Sequence, residues 1–144
     1  MSHKVLVPFD GSSSSKQAVQ FAISSLKERD SILLINVQRP QYEEYQRVGN
    51  ISKEELDKFY AQRGEEILQK AENDLKESNC KYEKVIKLGL PSLEITKAAK
   101  ENSAHSIIMG SRGMSPVLSN ALGSVTYSVL HLAPCPVTIV PCKE

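Results

Sequence analysis

The sequence predicts an α/β fold in which helices cover both faces of an open parallel sheet. Short apolar runs alternate with segments of helical periodicity in the order β-α-β-α-β-α-β-α-β. This alternation is typical of a parallel sheet with right-handed crossovers. The run SILLINV has no polar alternation, which is typical of a strand covered on both faces. The strands are predicted at Lys4–Phe9, Ser31–Val37, Tyr82–Leu88, Ser106–Met109 and Val137–Val140.

The segments between these runs predict the helices. Apolar side chains recur every three or four residues in Ser12–Leu26, and the serines at its start predict an N-cap. Ser52–Ser78 predicts a long helix, although Gly64 costs about 1 kcal/mol relative to alanine and could break it. Gln38–Asn50 has no periodicity and predicts an irregular loop. The other two helices are predicted at Pro91–Lys100 and Gly123–Leu132.

Composition indicates one ordinary globular domain over residues 1–144. The 144 residues are 40% hydrophobic and 24% charged, and a net charge of +1 provides no long-range attraction to nucleic acid or anionic lipid. The chain has neither a secretory signal pattern nor a run of membrane-spanning length, so we expect a cytoplasmic protein. Cys80, Cys135 and Cys142 form no CxxC pair, so we expect free thiols rather than disulfides or a zinc site.

The stretch IIMGSRGMSPVLSNALGSV, from Ile107 to Val125, is the clearest functional signal. A strand ends in the turn GSRG, and a second turn, GS, opens a helix. Backbone N–H groups at two such turns could converge on one anion, and a helix start favours phosphate. The alternative is that the glycines only form a strand exit and a helix start. We interpret the stretch as a phosphate-binding site formed by Gly110, Ser111, Arg112, Gly113, Gly123 and Ser124.

Two further segments are expected at the same site, because ligands of such sheets bind beyond the carboxyl ends of the strands. Asp10 follows the first strand and could accept hydrogen bonds from a ribose hydroxyl or a base amine. It could equally form an Asx-turn or helix cap with Ser12, and both roles stay open. Val37, at the end of the second strand, could offer its backbone to an adenine edge. GxxxxGK[ST] and GxGxxG are both missing, so we expect a mononucleotide.

The chain offers little for catalysis. It contains no GxSxG, HExxH or DxDxDG motif. His3, His105 and His131 are scattered, and we interpret them as structural or solvated. Asp10 is the one carboxylate expected at the site, without a partner base or a metal pair. We therefore expect no catalytic residue, no metal site made by the protein, and at most slow hydrolysis of a bound nucleotide.

These residues closely resemble the universal stress protein family over nearly the whole chain. The matching segments are VLVP with DGS after the first strand, Gly89 with Pro91, IMGSRG, GSV and APCPV. The pattern G-x2-G-x9-G-[ST] is complete, with nine residues between Gly113 and Gly123. In that family this pattern marks the ATP-binding branch.

The resemblance implies an open five-stranded parallel sheet in the order 3-2-1-4-5. It also implies a homodimer joined through the last strand, Val137–Val140, and an otherwise unpaired apolar edge favours the same arrangement. The implied ligand is ATP, with ADP or AMP as alternatives, together with Mg2+. The resemblance places Pro8, Asp10 and Val37 around adenine and ribose. It places Met109, Gly110, Arg112, Gly113, Gly123, Ser124 and Val125 around ribose and phosphates.

Two departures from the family pattern bear on ligand preference. His105-Ser106 stands where an acidic residue often leads into the fourth strand, and Met114-Ser115-Pro116 replaces a commonly more basic segment. The lost positive charge predicts weaker phosphate binding or a changed preference among ATP, ADP and AMP.

The implied function is that of an ATP-binding regulator of the stress response that hydrolyses ATP slowly or not at all. Two alternatives stay open: a slow ATPase or nucleotidyl-transferring enzyme on the same sheet, and a dimeric interaction module with a vestigial pocket. We expect neither a nucleic-acid partner nor a membrane partner, and the sequence does not identify a downstream protein.

Overall fold

A computed structural model, which describes residues 2–113 and 122–143, has a five-stranded parallel sheet between two layers of helices. The strand order is β3-β2-β1-β4-β5 and every pairing is parallel, which confirms the predicted fold class and order. In chain order the elements are β1 (Lys4–Pro8), α1 (Ser13–Ser25), β2 (Ser31–Gln38), α2 (Tyr42–Val48), α3 (Lys53–Glu77), β3 (Lys81–Leu88), α4 (Pro91–Glu101), β4 (Ser106–Gly110), α5 (Ser124–Leu132) and β5 (Val137–Val140).

Side-chain hydrogen bonds set the starts of two helices. The Ser12 hydroxyl accepts a hydrogen bond from the Ser15 N–H at 3.1 Å and caps α1, as the serine run predicts. Ser52 caps α3 in the same way through the Glu55 N–H. The predicted boundaries therefore hold to within about a residue or two at these helices.

The core lies on both faces of the sheet because successive side chains of a strand point to opposite faces. On β1, Val5 and Val7 pack in the cluster that contains α1 and α3 residues. Leu6 lies between them in sequence and packs in the cluster that contains α4 and α5 residues. The apolar runs show no polar alternation because both faces of these strands are covered.

The prediction of an irregular loop over Gln38–Asn50 is wrong, because Tyr42–Val48 forms the short helix α2. No side chain caps its start, so the sequence lacks the usual signal. Instead, the Tyr42 hydroxyl donates to the Asp57 carboxylate, and the Gln41 N–H donates to the Tyr60 hydroxyl at 3.0 Å. Contacts with α3, between residues that lie 15 and 19 positions apart in the chain, stabilise this helix.

Gly64 does not break α3, which runs uninterrupted from Lys53 to Glu77. A Cβ atom at Gly64 would lie 2.8 Å from Ile86 Cγ2 and 3.0 Å from Asn36 Oδ1. The first distance is shorter than a Cβ atom tolerates and the second is a tight contact, so glycine lets α3 approach β2 and β3 closely. The low helix propensity of glycine is offset here by packing.

A buried carboxylate joins α3 to β3. Glu72 accepts hydrogen bonds from the Tyr82 hydroxyl at 2.6 Å and from Lys84 Nζ at 2.9 Å. These two bonds, Tyr82 first, hold the pKa of Glu72 below its ordinary value of 4.5, against the opposing effect of burial. Lys84 also pairs with Glu65, and this pairing, followed by that with Glu72, raises the pKa of Lys84.

Replacing Glu72 with glutamine should lower the free energy of unfolding by about 1–3 kcal/mol at pH 7, because charge-assisted hydrogen bonds are lost in a buried place. Since the pKa of Glu72 is lower in the folded state, its contribution is present above pH 4.5 and is lost as the pH falls further. Urea unfolding of parent and variant should therefore differ at pH 7 and converge in acid. Glu66→Gln, at an exposed position of α3, is the control. A difference that persists undiminished in acid would contradict the assignment.

Candidate functional site

A crevice opens at the carboxyl edge of the sheet, between the ends of β1 and β4. The strand order reverses there, which is where open parallel sheets bind ligands. The crevice has a volume of about 320 Å³, within the usual range for small-molecule sites. Its lining includes every predicted site residue except Ser111: Pro8, Asp10, Val37, Met109, Gly110, Arg112, Gly113, Gly123, Ser124 and Val125.

One end of the crevice is largely apolar. Ile35 lies two residues before Val37 on the same face of β2, and Ile95 lies one turn beyond Pro91 in α4. Sequence reasoning missed Ile35, Pro91 and Ile95, which line the crevice together with Val37. Strand alternation and the proline at the start of α4 were the signals that could have found them. The missed lining residues are Phe9, Ser15, Ile35, Pro91, Ile95 and Thr126.

The Asp10 side chain stands in an exposed turn after β1. Its Oδ1 accepts the Ser12 N–H at 2.9 Å, so the Asx-turn alternative is present in the structure. Its Oδ2 lies 3.0 Å from the point where a Cβ of Gly113 would stand. The carboxylate therefore lies directly beside the loop after β4. Contact with a ribose or base stays a prediction.

Gly110 is required by the packing of α1. A Cβ atom there would lie 2.2 Å from Ser14 Oγ and 2.8 Å from the Ser14 carbonyl carbon and oxygen. The Gly110 carbonyl accepts a hydrogen bond from the Thr126 hydroxyl at 3.0 Å, and the Arg112 N–H donates to Ser14 Oγ at 3.2 Å. The loop after β4 is thus held between the first turns of α1 and α5.

Ser111 lies behind the crevice and joins three segments. Its N–H donates to the Val140 carbonyl at 3.1 Å, and its carbonyl accepts the Gly123 N–H at 2.8 Å. Its hydroxyl accepts the Cys142 N–H at 3.3 Å. The Gln17 side chain extends this junction, because its amide exchanges two 2.9 Å hydrogen bonds with the Lys143 backbone. These contacts are structural, and a ligand contact of Ser111 stays a prediction.

The backbone groups best placed for an anion belong to the start of α5. Gly123 is the N-cap, and within the described residues no side chain caps this helix. The first-turn N–H groups of a helix lack intrahelical partners, and the positive end of the helix dipole lies beside them. Ser124 and Val125 are in this first turn and line the crevice. By contrast, the N–H groups of Arg112 and Gly123 already hold the loop.

A second cavity of about 300 Å³ lies between β3 and α4. Its wall alternates acidic and basic side chains, among them Glu83, Lys87, Glu94 and Lys97. It contains none of the glycine turns, and such a mixture of exposed charges is typical of a solvated groove.

The other sequence expectations concern histidines, thiols, metals and membranes. His3 and His105 stack with ring centroids 3.7 Å apart at the amino edge of the sheet, opposite the crevice. Cys80, Cys135 and Cys142 are free thiols, as expected, and burial raises the pKa of Cys135.

Across residues 2–113 and 122–143, no three His, Cys, Asp or Glu side chains form a metal-binding group. Within the same ranges no helix is both long and apolar enough to cross a bilayer. Met114, Ser115 and Pro116 lie outside the described residues.

The model of the universal stress protein family matches residues 1–141. The chain belongs to the universal stress protein family. It is 32% identical to the universal stress protein YxiE of Bacillus subtilis, over 97% of this chain and 99% of the relative. It is 30% identical to the universal stress protein MJ0577 of Methanocaldococcus jannaschii, over 100% of this chain and 98% of the relative.

Two solved structures show the same fold. The structure of MJ0577 superimposes with a TM-score of 0.82 at 26% identity, covering 98% of this chain and 96% of the other. A universal stress protein solved in complex with cAMP superimposes with a TM-score of 0.66 at 25% identity, covering 98% of each chain. This universal stress protein therefore has the fold of these two relatives, with the sheet order 3-2-1-4-5.

Replacing Gly110 with alanine should destabilise the protein by about 1–3 kcal/mol, because the new methyl group would overlap the Ser14 backbone. Thermal or urea unfolding would measure the loss. Gly49→Ala is the matched control, since the nearest atom to a Cβ there is 4.0 Å away. Equal stability of the two variants would show that α1 places no restriction on Gly110.

Proposed function

We propose that this universal stress protein binds an adenine nucleotide in the crevice and belongs to the ATP-binding branch of the family. The ligand is ATP, with ADP or AMP as alternatives, and Mg2+ accompanies the phosphates. The observation that carries the proposal is the uncapped first turn of α5, which lines the crevice beside Arg112. In this proposal residues 1–144 act as one nucleotide-binding domain.

The two ends of the crevice suit the two ends of a nucleotide. The apolar walls at Val37, Ile35 and Ile95 suit a purine ring, and the first turn of α5 suits a phosphate. Asp10 also lines the crevice and has acceptor oxygens for ribose hydroxyls. The complete G-x2-G-x9-G-S spacing and the relative solved with cAMP both support an adenine nucleotide.

The protein acts as a cytoplasmic regulator of the stress response and hydrolyses the nucleotide slowly or not at all. Asp10 and Arg112 are the ionisable side chains among the described lining residues. Efficient phosphoryl transfer requires positioned groups for the nucleophile and the developing charge. One carboxylate and one guanidinium are too few, so the bound nucleotide acts as a signal rather than as a substrate.

The active form is a homodimer joined through β5. The carbonyl of Pro136 accepts the Ile107 N–H of β4, and that of Val140 accepts the Ser111 N–H just after β4. The backbone groups of Val137 and Ile139 therefore point to the open edge. No other strand of the described residues pairs with that edge. The preceding helix leaves large apolar side chains exposed, with 59% of Tyr127 accessible. A second copy would satisfy the edge and cover this surface.

Replacing Gly113 or Gly123 with valine should abolish ATP binding while the fold is retained. A Cβ at Gly113 would lie 3.0 Å from Asp10 Oδ2, and one at Gly123 would lie 3.4 Å from the Arg112 Cα, so larger side chains would occupy the space where a ligand approaches the backbone. Each lost charge-assisted hydrogen bond is worth about 1.5–3 kcal/mol, which is tenfold or more in affinity. Titration calorimetry measures binding, and circular dichroism checks the fold.

Gly49→Val is the control for this experiment, because Gly49 has an extended backbone and is not among the residues that line the crevice. Unchanged affinity in the Gly113 variant would contradict the proposal. If the parent binds no adenine nucleotide even at millimolar concentration, the vestigial-pocket alternative is correct instead. Steady release of phosphate faster than about 1 per second would favour the enzyme alternative.

Light scattering should give twice the chain mass of 16.0 kDa for the parent protein. Ile139→Pro removes an N–H that points to the open edge, and proline is tolerated on edge strands, so this variant should be monomeric and folded. Ile139→Val keeps the N–H and should remain dimeric. A monomeric parent, or a dimeric proline variant, would exclude pairing through β5.

A further inference from the structure

The crevice holds a carboxylate next to the place where phosphate is proposed to bind. Asp10 Oδ2 lies 3.0 Å from the Cβ position of Gly113, and the Gly113 nitrogen lies 3.5 Å from the Cβ position of Gly123, the N-cap of the helix that the proposed function assigns to phosphate. The carboxylate is fixed there, because Oδ1 accepts the Ser12 N–H. Any phosphate chain that extends along the loop towards Gly113 therefore approaches a fixed anion.

Positive charge is limited within the described lining of the crevice. Arg112 is the cation among these residues. The start of α5 contributes roughly half a positive charge through its dipole. The charge that these groups supply is thus small and is partly cancelled by Asp10.

Nucleotides differ in the negative charge that such a site must accommodate. A monophosphate carries a charge of about −2 at neutral pH, and each additional phosphoryl group adds more. Repulsion between a fixed carboxylate and a phosphate grows with the number of charges brought near it and is weakly screened inside a crevice. A divalent cation that binds the β- and γ-phosphates and the carboxylate together would convert this repulsion into attraction.

We propose that Asp10 makes the crevice discriminate between nucleotides by phosphate charge. It disfavours free ADP and ATP relative to AMP, and it favours the magnesium complexes of ADP and ATP over the free forms. This proposal rests on the proposed function and adds a specificity-determining residue to it. The apolar end of the crevice is shared by all three nucleotides and cannot make this distinction.

The test is titration calorimetry of AMP, ADP and ATP in EDTA and in excess Mg2+, with the parent and the Asp10→Asn variant. Asparagine keeps the oxygen that accepts the Ser12 N–H, so the turn should be retained. In EDTA the parent should bind AMP at least tenfold more tightly than ATP. The variant should reduce that ratio at least tenfold, and it should lose most of the magnesium dependence. Asp74→Asn, at an exposed position of α3, should change neither.

The ratio of AMP to ATP affinity separates charge discrimination from a simple ribose contact. If Asp10 only holds the ribose, asparagine weakens all three nucleotides equally and the ratio is unchanged, which would overturn the proposal. Equal affinity of the parent for AMP and free ATP would also overturn it and leave the proposed function intact. If no adenine nucleotide binds to the parent in either buffer, both proposals are wrong. If the Asp10→Asn variant does not fold, the magnesium dependence of the parent is the test. The proposal predicts that the parent binds ATP more tightly in Mg2+ than in EDTA, and equal affinity in the two buffers would overturn it.

Discussion

Close packing and hydrogen bonds at the exit of β4 fix the elements around the crevice. Gly110 lies so close to Ser14 that no side chain fits, and its carbonyl is held by the Thr126 hydroxyl. One residue later, Ser111 is bonded to Val140 and to the start of α5. The first turns of α1 and α5 and the end of β5 are therefore fixed relative to one another. The crevice between β1 and β4 is the space that this junction leaves.

The same junction decides which backbone amides are available to a ligand. The N–H groups of Arg112 and Gly123 hold the loop together, so the amides available to a phosphate are those in the first turn of α5. Asp10 faces this loop from the other side and brings a charge of the same sign as a phosphate. Because Ser111 bonds directly to Val140, the loop after β4 is also fixed to the end of β5.

Most of the fold follows from local patterns. Apolar runs without alternation place the strands, and the caps at Ser12 and Ser52 begin two helices where the sequence predicts them. The helix α2 is the exception, because the bonds of Tyr42 to Asp57 and of Gln41 to Tyr60 stabilise it from a remote segment. Periodicity and capping act over a few residues and therefore leave a signal in the sequence. A tertiary hydrogen bond leaves none.

The same distinction between local patterns and tertiary contacts applies to the residues of the candidate site. Local patterns are enough to predict the strand ends, the two glycine turns and the family, and these bring Asp10, Val37 and the loop after β4 to one edge. The three-dimensional structure was needed to show what each glycine does, since Gly64 and Gly110 are required by close packing rather than by a turn or a ligand. It also placed Ser111 behind the crevice. The sequence does not reveal why a glycine is needed at such a position, because the atoms that would collide with a Cβ there belong to distant parts of the chain.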